Sequence, residues 1–134
     1  WKREDAFPAY IEKHGLGYPF KNLLPIFGND DMTFVNLEGV LADQSTAVVK
    51  KHVFRGPTHL VNILTENSVE AVTIANNHTM DYGQTGYDST VQTLRNAGIP
   101  FAEQDGSCIV TTENGLTIGQ SIFVRYSTVS APPG

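Results

Sequence analysis

Residues 70–83 read Glu-Ala-Val-Thr-Ile-Ala-Asn-Asn-His-Thr-Met-Asp-Tyr-Gly, a short apolar run followed at once by a polar cluster. The run from Glu70 to Ala75 has the composition of a β-strand that is buried on both faces of a sheet. In open α/β sheets, ligands bind beyond the carboxyl ends of the strands. The stretch therefore predicts a central strand with a candidate site, residues 76–83, at its end.

A second strand of the same kind is predicted earlier in the chain. Residues 32–37 read Met-Thr-Phe-Val-Asn-Leu, which is mostly apolar and rich in β-formers, and Glu38 and Gly39 follow it. The carboxyl ends of parallel strands share one edge of a sheet. Asn36 and Glu38 are therefore expected to face the same crevice as residues 76–83.

Helices are predicted between and after these strands. Apolar residues repeat at helical spacing in the segments 20–27, 58–66 and 86–94. Gly98 has the position of a left-handed cap behind the last of these helices. Residues 42–55 show no steady period and predict a loop.

The later part of the sequence predicts further β-structure. Residues 99–102 suggest a short strand, and Asn114-Gly115 is a strong hairpin-turn signal between the runs 108–112 and 116–124. The order strand, helix, strand, helix, strand requires crossover connections. The prediction is one α/β domain with a mainly parallel sheet, flanking helices and a C-terminal β-hairpin, and a length of 134 residues suits a single core.

Composition argues against several classes of partner. The net charge is −5 at pH 7 and the basic residues are scattered, whereas a nucleic-acid or anionic membrane surface needs clustered positive charge. Cys108 is the sole cysteine, which excludes an internal disulfide and a cysteine-rich zinc site. No apolar run approaches the roughly 18 residues that span a bilayer, so the chain itself is predicted to be soluble.

The two polar clusters indicate a divalent metal site. The candidate ligands are Glu38, Asn77, His78 and Asp81. Together they offer carboxylate, amide and imidazole groups, which suit manganese, iron, zinc or magnesium. Each residue alone has a plainer explanation, because Asn-Asn is a turn former, Asp81 and Gly83 can cap a helix, and Glu38 can be a solvated charge. At the level of single residues, both interpretations stay open.

Two segments of the sequence resemble signatures of a known protein family. They are residues 31–39, Asp-Met-Thr-Phe-Val-Asn-Leu-Glu-Gly, and residues 75–83, Ala-Asn-Asn-His-Thr-Met-Asp-Tyr-Gly. They resemble the central signatures of CapA/PgsA-type poly-γ-glutamate capsule-biosynthesis proteins, and the similarity runs over about residues 20–119. The resemblance implies part of an α/β/β/α sandwich like that of the calcineurin-like metallophosphatases.

The resemblance also implies roles for individual side chains. His78 corresponds to a general acid near the leaving group, and Asn77 to the amide ligand of a metal centre. Glu38 would be a carboxylate ligand, and Asp81 a further ligand or the anchor of His78. Two asparagines at the strand ends, Asn36 and Asn76, would orient the residues of the site. The implied cofactor is a pair of manganese, iron, zinc or magnesium ions in the full-length protein.

Two further signatures of the family are not found in residues 1–134. They are an apolar first strand that ends in Gly-Asp, and a later His-x-Gly-x-Glu motif. In the family, both supply metal ligands. We therefore expect a truncated CapA-like domain that binds a single metal weakly or not at all and is inactive by itself. The missing strand would also leave a sheet edge exposed, which predicts self-association.

The function implied by the resemblance is a role in poly-γ-glutamate capsule synthesis or export, on the extracellular face of the bacterial membrane. The expected partners are a polyanionic polymer or a phosphorylated substrate and membrane synthase subunits, with no nucleic acid. Lys50, Lys51 and Arg55 could offset the repulsion between an acidic chain and such a polymer, although a solvated loop face is the simpler interpretation.

Two alternatives stay open beside a metal-dependent hydrolase. One is a non-catalytic scaffold or polymer-binding subunit of a membrane-associated synthase, in which Asn-Asn-His is retained for structure. The other is a metal-dependent phosphoesterase that is unrelated to capsule. The sequence identifies a site, and it leaves the reaction undetermined.

Overall fold

The computed structural model describes residues 6–104, 106–112 and 114–121. The helices in these ranges are α1 (Ala6–His14), α2 (Leu24–Phe27), α3 (Asn62–Thr65) and α4 (Gly83–Asn96). The strands are β1 (Phe34–Asn36), β2 (Val40–Leu41), β3 (Arg55–Gly56), β4 (Ala71–Thr73), β5 (Phe101–Ala102), β6 (Ser107–Thr111) and β7 (Thr117–Ser121). Two 3-10 turns, Tyr18–Phe20 and Thr58–Val61, precede α2 and α3.

A parallel sheet with strand order β1-β4-β5 forms the centre of the domain. Its register places Phe34 opposite Ala71 and Val72 opposite Phe101. The predicted α/β class and the mainly parallel sheet are therefore confirmed. The strands are shorter than predicted, but the pairing continues beyond them, since Leu37 N donates to Thr73 O at 2.9 Å.

Two predicted helices are broken into shorter pieces. The segment 20–27 contains only the end of a 3-10 turn and α2, because Pro25 in the first turn of α2 has no N–H to continue an earlier helix. The segment 58–66 begins as a 3-10 turn and continues as α3. Its predicted apolar stripe is nevertheless buried, as Leu60, Val61 and Leu64 all belong to the main hydrophobic core.

The loop predicted at 42–55 is bordered by strands that the sequence did not indicate. β2 and β3 form a short parallel pair with Val40 opposite Arg55 and Leu41 opposite Gly56, so β3 begins inside the predicted loop. Two-residue strands are too short to show a period of two, which is why the pattern missed them. The remaining segment, called here the 43–54 loop, carries no helix or strand.

Helix α4 is the longest helix of the described residues, and its predicted end is confirmed. Ile99 N donates to Leu94 O at 3.0 Å, and Gly98 N donates to Arg95 O at 3.1 Å. These are the two hydrogen bonds of a Schellman motif, and Gly98 has a φ of 70° at its left-handed position. Leu94 and Ile99 both pack into the main core, which fixes the helix against the sheet.

The C-terminal hairpin is confirmed as far as the structure describes it. β6 and β7 are antiparallel, with Thr111 opposite Thr117 across the turn at Asn114-Gly115. The predicted continuation of the second strand to residue 124 lies outside the described residues. Among the helices that are described, none has the length and apolar character required to cross a bilayer.

Replacing Gly98 by alanine tests the helix cap. An L-residue in the left-handed conformation costs roughly 1 kcal/mol, so we expect Gly98→Ala to lower the free energy of unfolding by about that amount in urea denaturation. Gly119→Ala is the matched control, because Gly119 lies in β7 with open space where a Cβ would be. Equal effects of the two substitutions would contradict the cap.

Candidate functional site

Two asparagines join the carboxyl ends of β1 and β4. Asn76 follows β4 and donates its Nδ2 amide to Asn36 Oδ1 and to Leu37 O, at 3.0 Å in both cases. Its Oδ1 accepts the backbone N–H of His78 at 2.9 Å. Asn76 thus connects the two strand ends and holds the start of the loop that carries His78. The two predicted polar clusters are brought together.

The loop after Asn76 turns through local hydrogen bonds. The hydroxyl of Thr79 contacts the carbonyl of Ile74, lies 2.8 Å from Asn76 O and accepts the Asn76 N–H at 3.1 Å. Such contacts between a side chain and nearby backbone favour tight turns. Asp81 N then donates to His78 O at 3.2 Å. The turn therefore returns Asp81 to the side of His78.

His78 and Asp81 form a buried pair, called here the dyad. His78 Nδ1 lies 2.6 Å from Asp81 Oδ2, and the two residues are 6 % and 1 % exposed. The ring of Phe54 stacks on the imidazole with the centroids 4.1 Å apart. The other ring nitrogen, Nε2, lies 3.7 Å from Oε1 of Glu38. One side of the imidazole is anchored, and the other faces an exposed carboxylate.

The Asp81 carboxylate receives donors from the 43–54 loop. Lys50 Nζ lies 2.6 Å from Oδ1, and the backbone N–H of Phe54 donates to Oδ2 at 2.7 Å. Burial raises the pKa of Asp81, but hydrogen bonds from Lys50, His78 and the Phe54 amide together outweigh it, so the pKa lies below the ordinary value. The carboxylate is therefore ionised at neutral pH although it is buried.

Lys50 is the site residue that sequence reasoning undervalued. Its ammonium contacts Asp81 and also lies 2.6 Å from Asn77 O and 3.4 Å from His78 Nδ1, so the solvated-face interpretation is wrong for this lysine. Lys51 is exposed, and the guanidinium of Arg55 lies over the ring of Tyr82. No local pattern marks Lys50, because its partners are 27 to 31 residues away in sequence.

Gly39 allows the 43–54 loop to approach the end of β1. It has a φ of 139°, and a Cβ at this position would lie 3.1 Å from the Cβ of Phe54. A side chain on residue 39 would therefore press against the residue that stacks on His78. The glycine in the first predicted cluster thus has a packing role beside the dyad.

The predicted metal ligands are only partly gathered. Glu38 is exposed and accepts Asn36 Nδ2 at 3.3 Å, and Asn77 is exposed. Both oxygens of Asp81 are already bonded to protein donors. Across residues 6–104, 106–112 and 114–121, no three His, Cys, Asp or Glu side chains form a group that could hold a metal ion. These residues alone do not complete a metal centre, and the metal roles stay predictions.

A cleft of about 860 Å³ is lined in part by Glu38 and Phe54, which are both neighbours of His78. Its walls are mainly apolar and include Val35, Leu37 and Leu60, and its polar rim includes Asn36 and Glu38. Glu38 therefore belongs both to the rim of the cleft and to the surroundings of His78 Nε2. A molecule bound in the cleft would therefore contact Glu38, whose carboxylate lies beside Nε2 of His78.

A comparison with protein families identifies the family of this chain. Residues 3–107 match the family described as "Bacterial capsule synthesis protein PGA_cap". This chain belongs to that family. The matched range contains β1, β4, α4, the dyad and Lys50, so the resemblance carried by residues 31–39 and 75–83 is confirmed. A comparison with curated proteins found no match.

Replacing Asp81 by asparagine tests the electrostatics of the dyad in this capsule-family site. A hydrogen bond to a charged group contributes about 1.5–3 kcal/mol. The side chain of Lys50 is one-third exposed, so solvent screens its ion pair with Asp81. We therefore expect Asp81→Asn to lower the free energy of unfolding by about 2 kcal/mol near pH 7 in urea denaturation. The pKa of Asp81 is lowered by folding, so wild type loses this stability as the pH falls below about 4.

The difference between wild type and Asp81→Asn should therefore shrink on acidification. Asp88→Asn is the control, because Asp88 lies on the exposed face of α4, where Gln84 Nε2 is its hydrogen-bond donor. That variant should follow the wild-type profile closely. A stability difference for Asp81→Asn that stays constant from neutral to acidic pH would contradict the ionised dyad.

Proposed function

We propose that this chain takes part in the synthesis or export of a poly-γ-glutamate capsule, with His78 as the proton-transferring group of its site. The observation that supports this proposal is the dyad, in which Asp81 holds Nδ1 and Nε2 faces Glu38 at the rim of the cleft. Membership of the capsule synthesis family supports the biological role.

The dyad suits general acid–base chemistry. A carboxylate only accepts hydrogen bonds, so Asp81 favours a proton on Nδ1 of His78 and leaves the lone pair on Nε2. When Nε2 takes up a proton, the ionised Asp81 stabilises the imidazolium that forms. His78 can then deliver that proton to a leaving oxygen or nitrogen of a molecule bound in the cleft.

An anionic substrate requires positive charge at this site. The chain has a net charge of −5, Glu38 stands beside His78, and the charge of Lys50 is already paired with Asp81. We propose that a divalent manganese, iron, zinc or magnesium ion supplies the charge, with two such ions in the full-length protein. Glu38 and Asn77 are the donors this chain would offer, and further donors would come from outside the described residues.

The proposed substrate is the polyanionic polymer or a phosphorylated precursor. Because a capsule lies outside the cell, we place the full-length protein at the extracellular face of the membrane, with membrane synthase subunits as partners. The role of Asp81 in this proposal is to anchor His78, since both of its oxygens are engaged within the chain.

A second candidate function is a scaffold or polymer-binding subunit without catalysis. The mainly apolar cleft favours it, because such walls suit the docking of a partner as well as the binding of a substrate. The two candidates differ in whether the imidazole of His78 is needed, which makes a single substitution decisive.

The test is polymer production by cells that carry the full-length protein with His78→Gln. General acid–base catalysis contributes about 10²–10⁴-fold, so we expect polymer synthesis to fall by about 100-fold or more. His52→Gln is the matched control, because His52 is an exposed histidine of the 43–54 loop and lies outside the dyad. Polymer is measured per cell, and the amount of each variant protein is measured in parallel.

Three outcomes separate the functions. Loss of polymer with His78→Gln alone supports the proposed catalytic role. Normal polymer with His78→Gln, together with its loss on deletion of the gene, supports the scaffold. Normal polymer after deletion, with turnover of a generic phosphodiester that depends on His78, supports a phosphoesterase unrelated to capsule.

The proposed cation is tested by calorimetric titration of Mn²⁺ into the 134-residue chain and into the full-length protein. We expect weak binding by the chain, tighter binding by the full-length protein, and loss of both with Glu38→Gln, because affinity depends on the number of ligands. Glu66→Gln is the control, since Glu66 is the exposed residue that follows the C-terminal end of α3. Unchanged binding with Glu38→Gln would reject Glu38 as a ligand.

A further inference from the structure

The 43–54 loop contributes three separate groups to the dyad. They are the ammonium of Lys50, the backbone N–H of Phe54 and the aromatic ring of Phe54. The loop is also tied down by Val48 N, which donates to Asp81 O at 2.9 Å. A segment without regular secondary structure is therefore docked on the dyad through polar and aromatic contacts.

Lys50 and His78 occupy different oxygens of the same carboxylate. Lys50 Nζ lies 2.6 Å from Asp81 Oδ1, and His78 Nδ1 lies 2.6 Å from Oδ2. The Phe54 N–H also donates to Oδ2, at 2.7 Å. The carboxylate is thus held from both ends, so it cannot rotate without breaking a charged hydrogen bond.

The same ammonium holds the backbone beside His78. Lys50 Nζ lies 2.6 Å from the carbonyl oxygen of Asn77, the residue that precedes the imidazole. Lys50 therefore fixes both the acceptor of the His78 ring and the backbone from which that ring extends. Because its side chain is 34 % exposed, the ion pair is partly screened by solvent, and its main effect is on geometry.

We propose that Lys50 is a positioning residue, which holds Asp81 and the Asn77 carbonyl so that the His78 ring keeps Nδ1 on Asp81 and Nε2 toward Glu38. This inference deepens the proposed function, because an acid–base imidazole needs one nitrogen anchored and the other free. Lys50 acts through Asp81 and Asn77, and it is not itself the group that transfers the proton.

The test measures which imidazole nitrogen of His78 carries the proton in the neutral ring, by long-range ¹H–¹⁵N NMR on the full 134-residue chain. Wild type is expected to show the Nδ1–H tautomer, because the carboxylate is an acceptor only. Lys50→Met should lose this single tautomer and give a mixture, while Lys50→Arg, which keeps the charge, should restore most of it. Lys51→Met is the control, since Lys51 is the exposed neighbour.

A lysine that only stabilised the fold would give a different result. Lys50→Met would then lower the melting temperature and leave the tautomer unchanged, and this outcome would overturn the proposal. If Lys50→Met fails to fold, as judged from backbone amide signals, Lys50→Gln is measured instead, because it keeps an N–H donor without the charge. Loss of the single tautomer in Lys50→Gln would then support the positioning role, and an unchanged tautomer would overturn it.

The NMR result is independent of the capsule assay. The tautomer of His78 could change in Lys50→Met while cells with His78→Gln make a normal amount of polymer. That result would support the positioning role of Lys50 and reject the catalytic function of His78. An unchanged tautomer with loss of polymer in those cells would reject the role of Lys50 and leave the function of His78 supported.

Discussion

Parallel hydrogen bonding between β1 and β4 sets the level at which both strands end. The register places Asn36 opposite Thr73, so the residues that follow each strand emerge side by side. Successive side chains of a strand alternate between faces, so a slip of one residue would turn Asn36 away from Asn76. The hydrogen bond that the Asn76 side-chain amide donates to Asn36 Oδ1 is the direct result of this register.

Burial of the Asp81 carboxylate carries an electrostatic cost. An unpaired charge in the interior is strongly unfavourable, and here it is compensated by Lys50, His78 and a backbone amide. Two of these donors come from the 43–54 loop, so the loop and the dyad stabilise each other. Gly39 permits this packing, because a Cβ there would lie 3.1 Å from the Cβ of Phe54 and its φ of 139° is strained for other residues.

In this member of the capsule synthesis family the dyad belongs to an acidic chain, with a net charge of −5 at pH 7. Pairing within the dyad leaves the exposed Glu38 as the carboxylate nearest to His78 Nε2, at the rim of an apolar cleft. The imidazole of His78 is buried between an anchored carboxylate, Asp81, and an exposed one, Glu38, and this arrangement is the basis of the proposed proton transfer. The fold builds this arrangement from a strand end, a tight turn and the 43–54 loop.

Local sequence pattern was sufficient for the fold class, the central strands, the cap at Gly98 and the hairpin at Asn114-Gly115, because each depends on neighbouring residues. The same pattern indicated that the clusters at 36–38 and 76–81 share one edge of the sheet. Only the tertiary structure showed the strands β2 and β3 and the contacts of Lys50 with Asp81 and Asn77. Those features depend on contacts between residues far apart in sequence, and such contacts leave no periodic trace in the chain.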